Sequence, residues 1–159
     1  MRNVINTTRR TLLALSASAL TLAACATATV ASLASDVQLV DSGAQSLASA
    51  ITKIANVPAA LASQIEGYLT TIDTGAAAVA ATGTAGTATV VQQIVAAVKA
   101  LVPIVMPLIP GGSPLEPVAD ALLSMVPALL AYVGITGASA TVPVYTLDQA
   151  RQILRAAAK

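Results

Sequence analysis

Histidine, phenylalanine and tryptophan are absent from this 159-residue chain, and cysteine occurs once. Each absence closes off a class of behaviour. Without histidine, the usual general base near neutral pH is missing. One cysteine cannot form a disulfide within the chain, and no His/Cys/Asp/Glu cluster has metal-ligand spacing. No Gly-x-Ser-x-Gly elbow occurs to present a nucleophilic serine. Charge is scarce too, at 9% of residues where an ordinary soluble domain carries about 25%. Past residue 25, Lys53, Lys99, Arg151, Arg155 and Lys159 face seven carboxylates, Asp36, Asp41, Glu66, Asp73, Glu116, Asp120 and Asp148. The resulting net charge of −2 leaves no broad basic surface for a nucleic-acid backbone. The expectation is a non-enzymatic protein with no cofactor, no metal and no nucleic-acid partner.

What remains is apolar and small. Hydrophobic residues make up 56% of the chain, yet Tyr68, Tyr132 and Tyr145 are its only aromatics. Much of the apolar content is alanine, which lets helices approach closely but buries little area per residue. A surface so poor in charge is expected to hide apolar area in a membrane, a partner protein or a homo-oligomer.

The first 24 residues have their own pattern. Arg2, Arg9 and Arg10 carry all the charge before Asp36, and Thr11 to Ala24 are apolar or small. A basic start, an apolar run of roughly 7–15 residues and a small-residue cleavage site define an export signal. The run is shorter than the roughly 20 apolar residues that a stable span needs. It closes on Leu22-Ala23-Ala24-Cys25, which resembles the lipobox of bacterial lipoproteins. That resemblance implies a diacylglyceryl group on the Cys25 thiol, cleavage just before it, and acylation of the new amino group. Two or more acyl chains anchor stably, where one, at about 0.8 kcal/mol per buried CH₂, binds only marginally. An ordinary signal cut after Ala26 or Ala28 also fits the small-x-small pattern. Thr8-Arg9-Arg10-Thr11-Leu12-Leu13 is similar to the twin-arginine export motif, with Leu12 where phenylalanine is more usual. The same arginines also serve as the positive start of any export signal. Ala26 follows the cysteine where lipoproteins kept at the inner membrane often carry aspartate, so the resemblance implies an outer-membrane anchor facing the periplasm.

After the leader (1–24) comes a small-residue stretch, 25–35, expected to act as a lipidated tether, and then a domain over 36–159. Val37, Val40, Ala44, Leu47, Ile51 and Ile54 recur at 3-4 spacing and predict a helix, with Asp36 as its N-cap. Pro58 interrupts, and Leu61, Ile65, Tyr68 (or Leu69) and Ile72 resume the stripe in a second helix. Too few flanking charges are present for a coiled-coil zipper, so both stripes read as core faces. Residues 74–89 are Ala/Gly/Thr low complexity and read as a flexible connection. Gly83-Thr84-Ala85-Gly86 lacks the lysine and preceding strand of a phosphate loop. A third helix starts near Thr89 with Val91, Ile94, Val95, Val98, Leu101 and Val102 on one face. Pro103, Pro107 and Pro110 divide its continuation.

Ser113-Pro114-Leu115-Glu116 has the form of a capping box and predicts a helix from Ser113 to Gly134, kinked near Pro127. Thr146-x-x-Gln149 is a second capping box, opening a terminal helix that runs close to Lys159. The fold class expected is all-α, an Ala-rich bundle of four to five helices. Residues 90–110 and 117–135 approach spanning length, but Gln92, Gln93, Lys99 and Asp120 make a buried or partner-facing pair the better reading. A membrane-inserting hairpin over 90–135 is the alternative. Glu116 and Asp120 lie i, i+4 on one helix face, where a paired-carboxylate site is conceivable; their place near a helix start equally suits the dipole. Arg151, Arg155 and Lys159 form a basic stripe, a candidate contact for an anionic partner or simply cations complementing a helix end.

Overall fold

Alanine and leucine are strong helix formers, and the chain has little beyond Pro, Gly and a few Asn/Asp positions to stop a helix. The computed structural model describes residues 31–53, 57–82, 87–135 and 143–159, and among them it contains five α-helices and no strand. They are α1 (31–53), α2 (Ala59–Thr82), α3 (Thr87–Val105, continued by a 3₁₀ turn at Met106–Leu108), α4 (Glu116–Tyr132) and α5 (Leu147–Ala157). The chain divides into two units, Met1–Ser32 and Leu33–Lys159, and the bundle is the second. The all-α class is therefore observed. Cys25, Leu22, Ala23, Ala24, Arg9 and Arg10 lie outside the described residues, as do Ile54 and Gly83–Gly86.

The predicted stripes form the core. Val37, Val40, Ala44 and Leu47 of α1 are fully buried, and Ile65 and Ile72 of α2 continue the layer. α2 packs on α3, α3 on α4 and α4 on α5. α1 meets α4 and α5 at Gly43, where Leu122 and Leu154 fill the space that a side chain would need. A Cβ on Gly43 would stand 2.6 Å from Leu154 Cδ2 and 3.2 Å from Leu122 Cδ2. That close approach is the reason a glycine sits inside a helix despite its low propensity.

Three boundaries differ from the sequence expectation. α1 is already helical at residue 31 and buries Leu33, so residues 31–35, expected in the tether, belong to the helix. Asp36 consequently lies inside α1 and does not cap it. Most of the 74–89 stretch is also helix, with Ala76 and Val79 buried in α2. Alanine needs no core to favour a helix, and Gly75 leaves room for Ile94, whose Cγ1 would be 2.7 Å from a Cβ there. Finally, α3 passes through Pro103 before tightening at Met106–Leu108. Pro103 is on the exposed side, where a missing backbone bond costs least.

The two capping boxes part company. At Thr146 both halves form: the Gln149 amide donates to Thr146 Oγ1 at 3.4 Å, and the Thr146 amide donates to Gln149 Oε1 at 3.0 Å. At Ser113 the hydroxyl instead accepts from the Leu115 amide at 3.3 Å, the Ser113 carbonyl accepts from the Glu116 amide, and α4 starts only at Glu116. The Ser113–Leu115 segment is thus a tight turn ahead of the helix. α4 ends as predicted near Gly134, whose φ of 76° permits a Schellman closure. The Ile135 amide donates to the Leu130 carbonyl at 2.9 Å and the Gly134 amide to the Ala131 carbonyl at 3.1 Å.

Candidate functional site

The structure draws together three polar side chains that are far apart in sequence. Asp36 projects from α1 and is only 2% exposed. It lies on the apolar stripe itself, three residues after Leu33 and four before Val40. A buried carboxylate is tolerable only with a partner and hydrogen bonds. Arg151 of α5 supplies both through its planar fork: Nε donates to Asp36 Oδ1 at 2.8 Å and Nη2 to Oδ2 at 2.7 Å. Two parallel charge-assisted bonds are stronger and more directional than one. The Tyr132 hydroxyl of α4 donates to Asp36 Oδ2 at 3.1 Å and accepts from Arg151 Nη2 at 3.3 Å. On the outer side Arg151 Nη1 donates to Asp148 Oδ1 at 3.2 Å.

Electrostatics hold Tyr132 and Arg151 in their protonated forms. Burial and the neighbouring Asp36 carboxylate push the Tyr132 phenol above its ordinary value. The hydrogen bonds to Asp36 hold Arg151 above the already high arginine range. A phenol and a guanidinium so stabilised serve as donors, and neither is set to release a proton near neutral pH. The arrangement fastens three helices together.

The remaining sequence candidates lie elsewhere. Arg151 is committed to Asp36, whereas Arg155 and Lys159 of the predicted basic stripe are exposed. Glu116 is exposed and Asp120 half-buried, and no hydrogen bond or ion pair joins them. The Asp120 carbonyl instead accepts from Ser124 Oγ at 2.8 Å, and that oxygen accepts from the Tyr145 amide at 3.2 Å. This ties the segment ahead of α5 to the middle of α4. Among the described residues no group of three or more His, Cys, Asp or Glu is placed to hold a metal ion.

Among the described residues, two open grooves lie beside α2. One, of about 640 Å³, runs between α1 and α2 past Ser42, Ser49, Ile65 and Glu66. The other, of about 770 Å³, separates α2 from α3 and has no charged lining residue, with Tyr68, Thr74, Gly75 and Ala96 among its walls. The Thr87–Leu108 stretch is long and apolar enough to cross a membrane, with a hydropathy of 1.8. Val91, Ile94, Val98 and Leu101 face the core, Val90, Ala100 and Ile104 are half-buried, and Ala96, Gln92, Gln93 and Lys99 are exposed.

The Asp36–Tyr132–Arg151 cluster was not foreseen from sequence. Its one signal was an acid on an apolar stripe, which demands a cation from elsewhere. Periodicity has no means of pointing to a residue 115 positions away. The chain matches no family model, no curated protein and no solved structure.

Proposed function

We propose that the chain is an exported, lipid-anchored module of the bacterial envelope, carrying no chemistry of its own. Residues 1–24 direct export, Cys25 takes the acyl groups, and the bundle over Leu33–Lys159 presents helix faces to a second copy or another envelope protein. The observation that carries this reading is Leu22-Ala23-Ala24-Cys25 at the close of a basic-then-apolar leader. The domain that follows supports it: few charges, many small residues (Ala, Ser and Thr) at exposed helix positions, and the buried Asp36 engaged with Arg151. Ala26 after the cysteine favours an outer-membrane address facing the periplasm, and Arg9-Arg10 favours the twin-arginine route.

The deciding measurement is an intact mass of the protein recovered from bacterial membranes, beside Cys25→Ser. The expected result is a chain beginning at Cys25 with added acyl mass, absent from the variant. A soluble chain starting near Thr27 or Thr29 would overturn the anchor.

A second reading, in which the hairpin over 90–135 inserts into lipid, draws on the length and hydropathy of Thr87–Leu108. Vesicle leakage separates the two. Leakage that Val98→Asp abolishes while the chain stays folded in water supports insertion. Loss of folding in that variant supports the bundle.

A further inference from the structure

α5 is fastened unlike the other helices. It wholly buries Ala150 and Leu154 alone, whereas α3 and α4 each bury nine residues. Its helical form does not depend on docking: Thr146 and Gln149 cap it, and Asp148 and Arg155 lie at the ends that the helix dipole favours. Leu147, Ile153 and Ala157 pack half-buried against the core, and polar contacts add to them. Arg151 grips Asp36, Ser46 Oγ donates to the Ala157 carbonyl at 3.0 Å, and the Tyr145 amide reaches Ser124. Beneath it runs an apolar trough at Gly43 and Leu122 into which Leu154 inserts.

Tyr132 from α4 and Arg151 from α5 meet the Asp36 carboxylate, and Asp148 approaches the outer edge of the guanidinium. Tyr132 is neutral, so among the described residues Arg151 is the cation that balances the buried charge. Take the guanidinium away and the carboxylate must regain water. The shortest route is the departure of the helix that brought the guanidinium, since α1 and α4 are held by their own apolar faces.

We propose that α5 is a releasable strap. Its docking on α1 and α4 is governed by the Asp36–Arg151 pair, and its release uncovers the trough around Gly43 and Leu122 while α1–α4 stay folded. Neither the leader nor Cys25 enters into this device.

Hydrogen exchange read by mass spectrometry on the full chain tests it. In the unmodified protein, α5 amides exchange at least about tenfold faster than those of α3 and α4, as a separately opening unit must. Arg151→Met raises α5 exchange about tenfold further and leaves α3 and α4 unchanged. Adding Asp36→Leu to Arg151→Met restores α5 protection, because no carboxylate is left to hydrate. A merely space-filling role for Arg151 does not give that rescue. Exchange of α5 in step with α3 and α4 overturns the strap, as does failure of the double variant to restore protection. Should Arg151→Met not fold, the comparison of helices within the unmodified protein decides alone.

Discussion

The α3–α4 pair and α5 solve the same problem, holding a helix on a bundle, by different means. α3 and α4 are packed through broad apolar faces, with Val98, Leu122, Met125 and Leu129 among the side chains fully removed from water. Each such side chain contributes about 1.5–3 kcal/mol by leaving water, so losing one contact leaves many others. α5 is shorter, with Leu147, Ala150, Ile153, Leu154 and Ala157 on the core but only Ala150 and Leu154 fully buried, and it adds a single charged grip. A buried ion pair contributes little net stability, because desolvation offsets the attraction, but breaking one half is costly. Apolar packing therefore supplies cohesion in the pair, and the charged cluster supplies register and conditional attachment in α5.

The sharpest way to break the comparison is a charge inside the pair. Val98→Asp or Met125→Asp places a carboxylate at a fully buried position within the apolar core. The expected loss exceeds about 4 kcal/mol and unfolds the whole bundle, read by circular dichroism during denaturant titration. Survival of either variant as a folded, soluble chain would mean that this pair is not the core.

Smaller effects are expected at the strap. Gly43→Ala puts a methyl group 2.6 Å from Leu154 Cδ2. The overpacking outweighs the better helix propensity of alanine, for a net loss of about 1 kcal/mol. Combining it with Leu154→Ala recovers part of that loss, and thermal melts of the single and double variants measure the coupling. Thr146→Ala removes the side-chain half of a formed capping box, the acceptor for the Gln149 amide, and leaves the backbone amide at 146 on Gln149 Oε1. The expected cost is about 1 kcal/mol, confined to α5 amide exchange.

The smallest effect concerns the seam between α1 and α2. Burial pushes the Asp41 carboxyl above its ordinary value of 3.8, the Gln45 side chain opposes this, and the nearby Asp73 adds to the rise. With the folded pKa above the unfolded one, the native state binds more protons in the window between them. Stability therefore falls as pH rises through that window and returns on acidification. Asp41→Asn should flatten this contribution, by less than about 1 kcal/mol, in denaturant midpoints measured across acidic pH.

Much of the architecture was legible from local pattern. The α1 and α2 stripes, the Thr146-x-x-Gln149 box and the stop at Gly134 depend on residues within a turn or two of each other, so short-range spacing carries them. Less was legible where a local signal competes with a distant one. Ser113 has the composition of an N-cap, yet its hydroxyl closes a turn ahead of α4. The Ala/Gly run after Thr74 looks like a linker, yet it is an ordered helix end against Ile94. Asp36 looks like a helix start, yet it is an interior charge. The basic stripe was legible as a pattern, but not the commitment of Arg151 to the core.

Apolar spacing at 3.6 residues per turn, alanine propensity and capping chemistry act between near neighbours in the chain, and they suffice to make this protein a set of helices. Which helices touch, and which charges are withdrawn from solvent, depends on contacts across 96 and 115 residues, those of Tyr132 and Arg151 with Asp36. A carboxylate acquires its partner only once packing has excluded the water that would otherwise satisfy it.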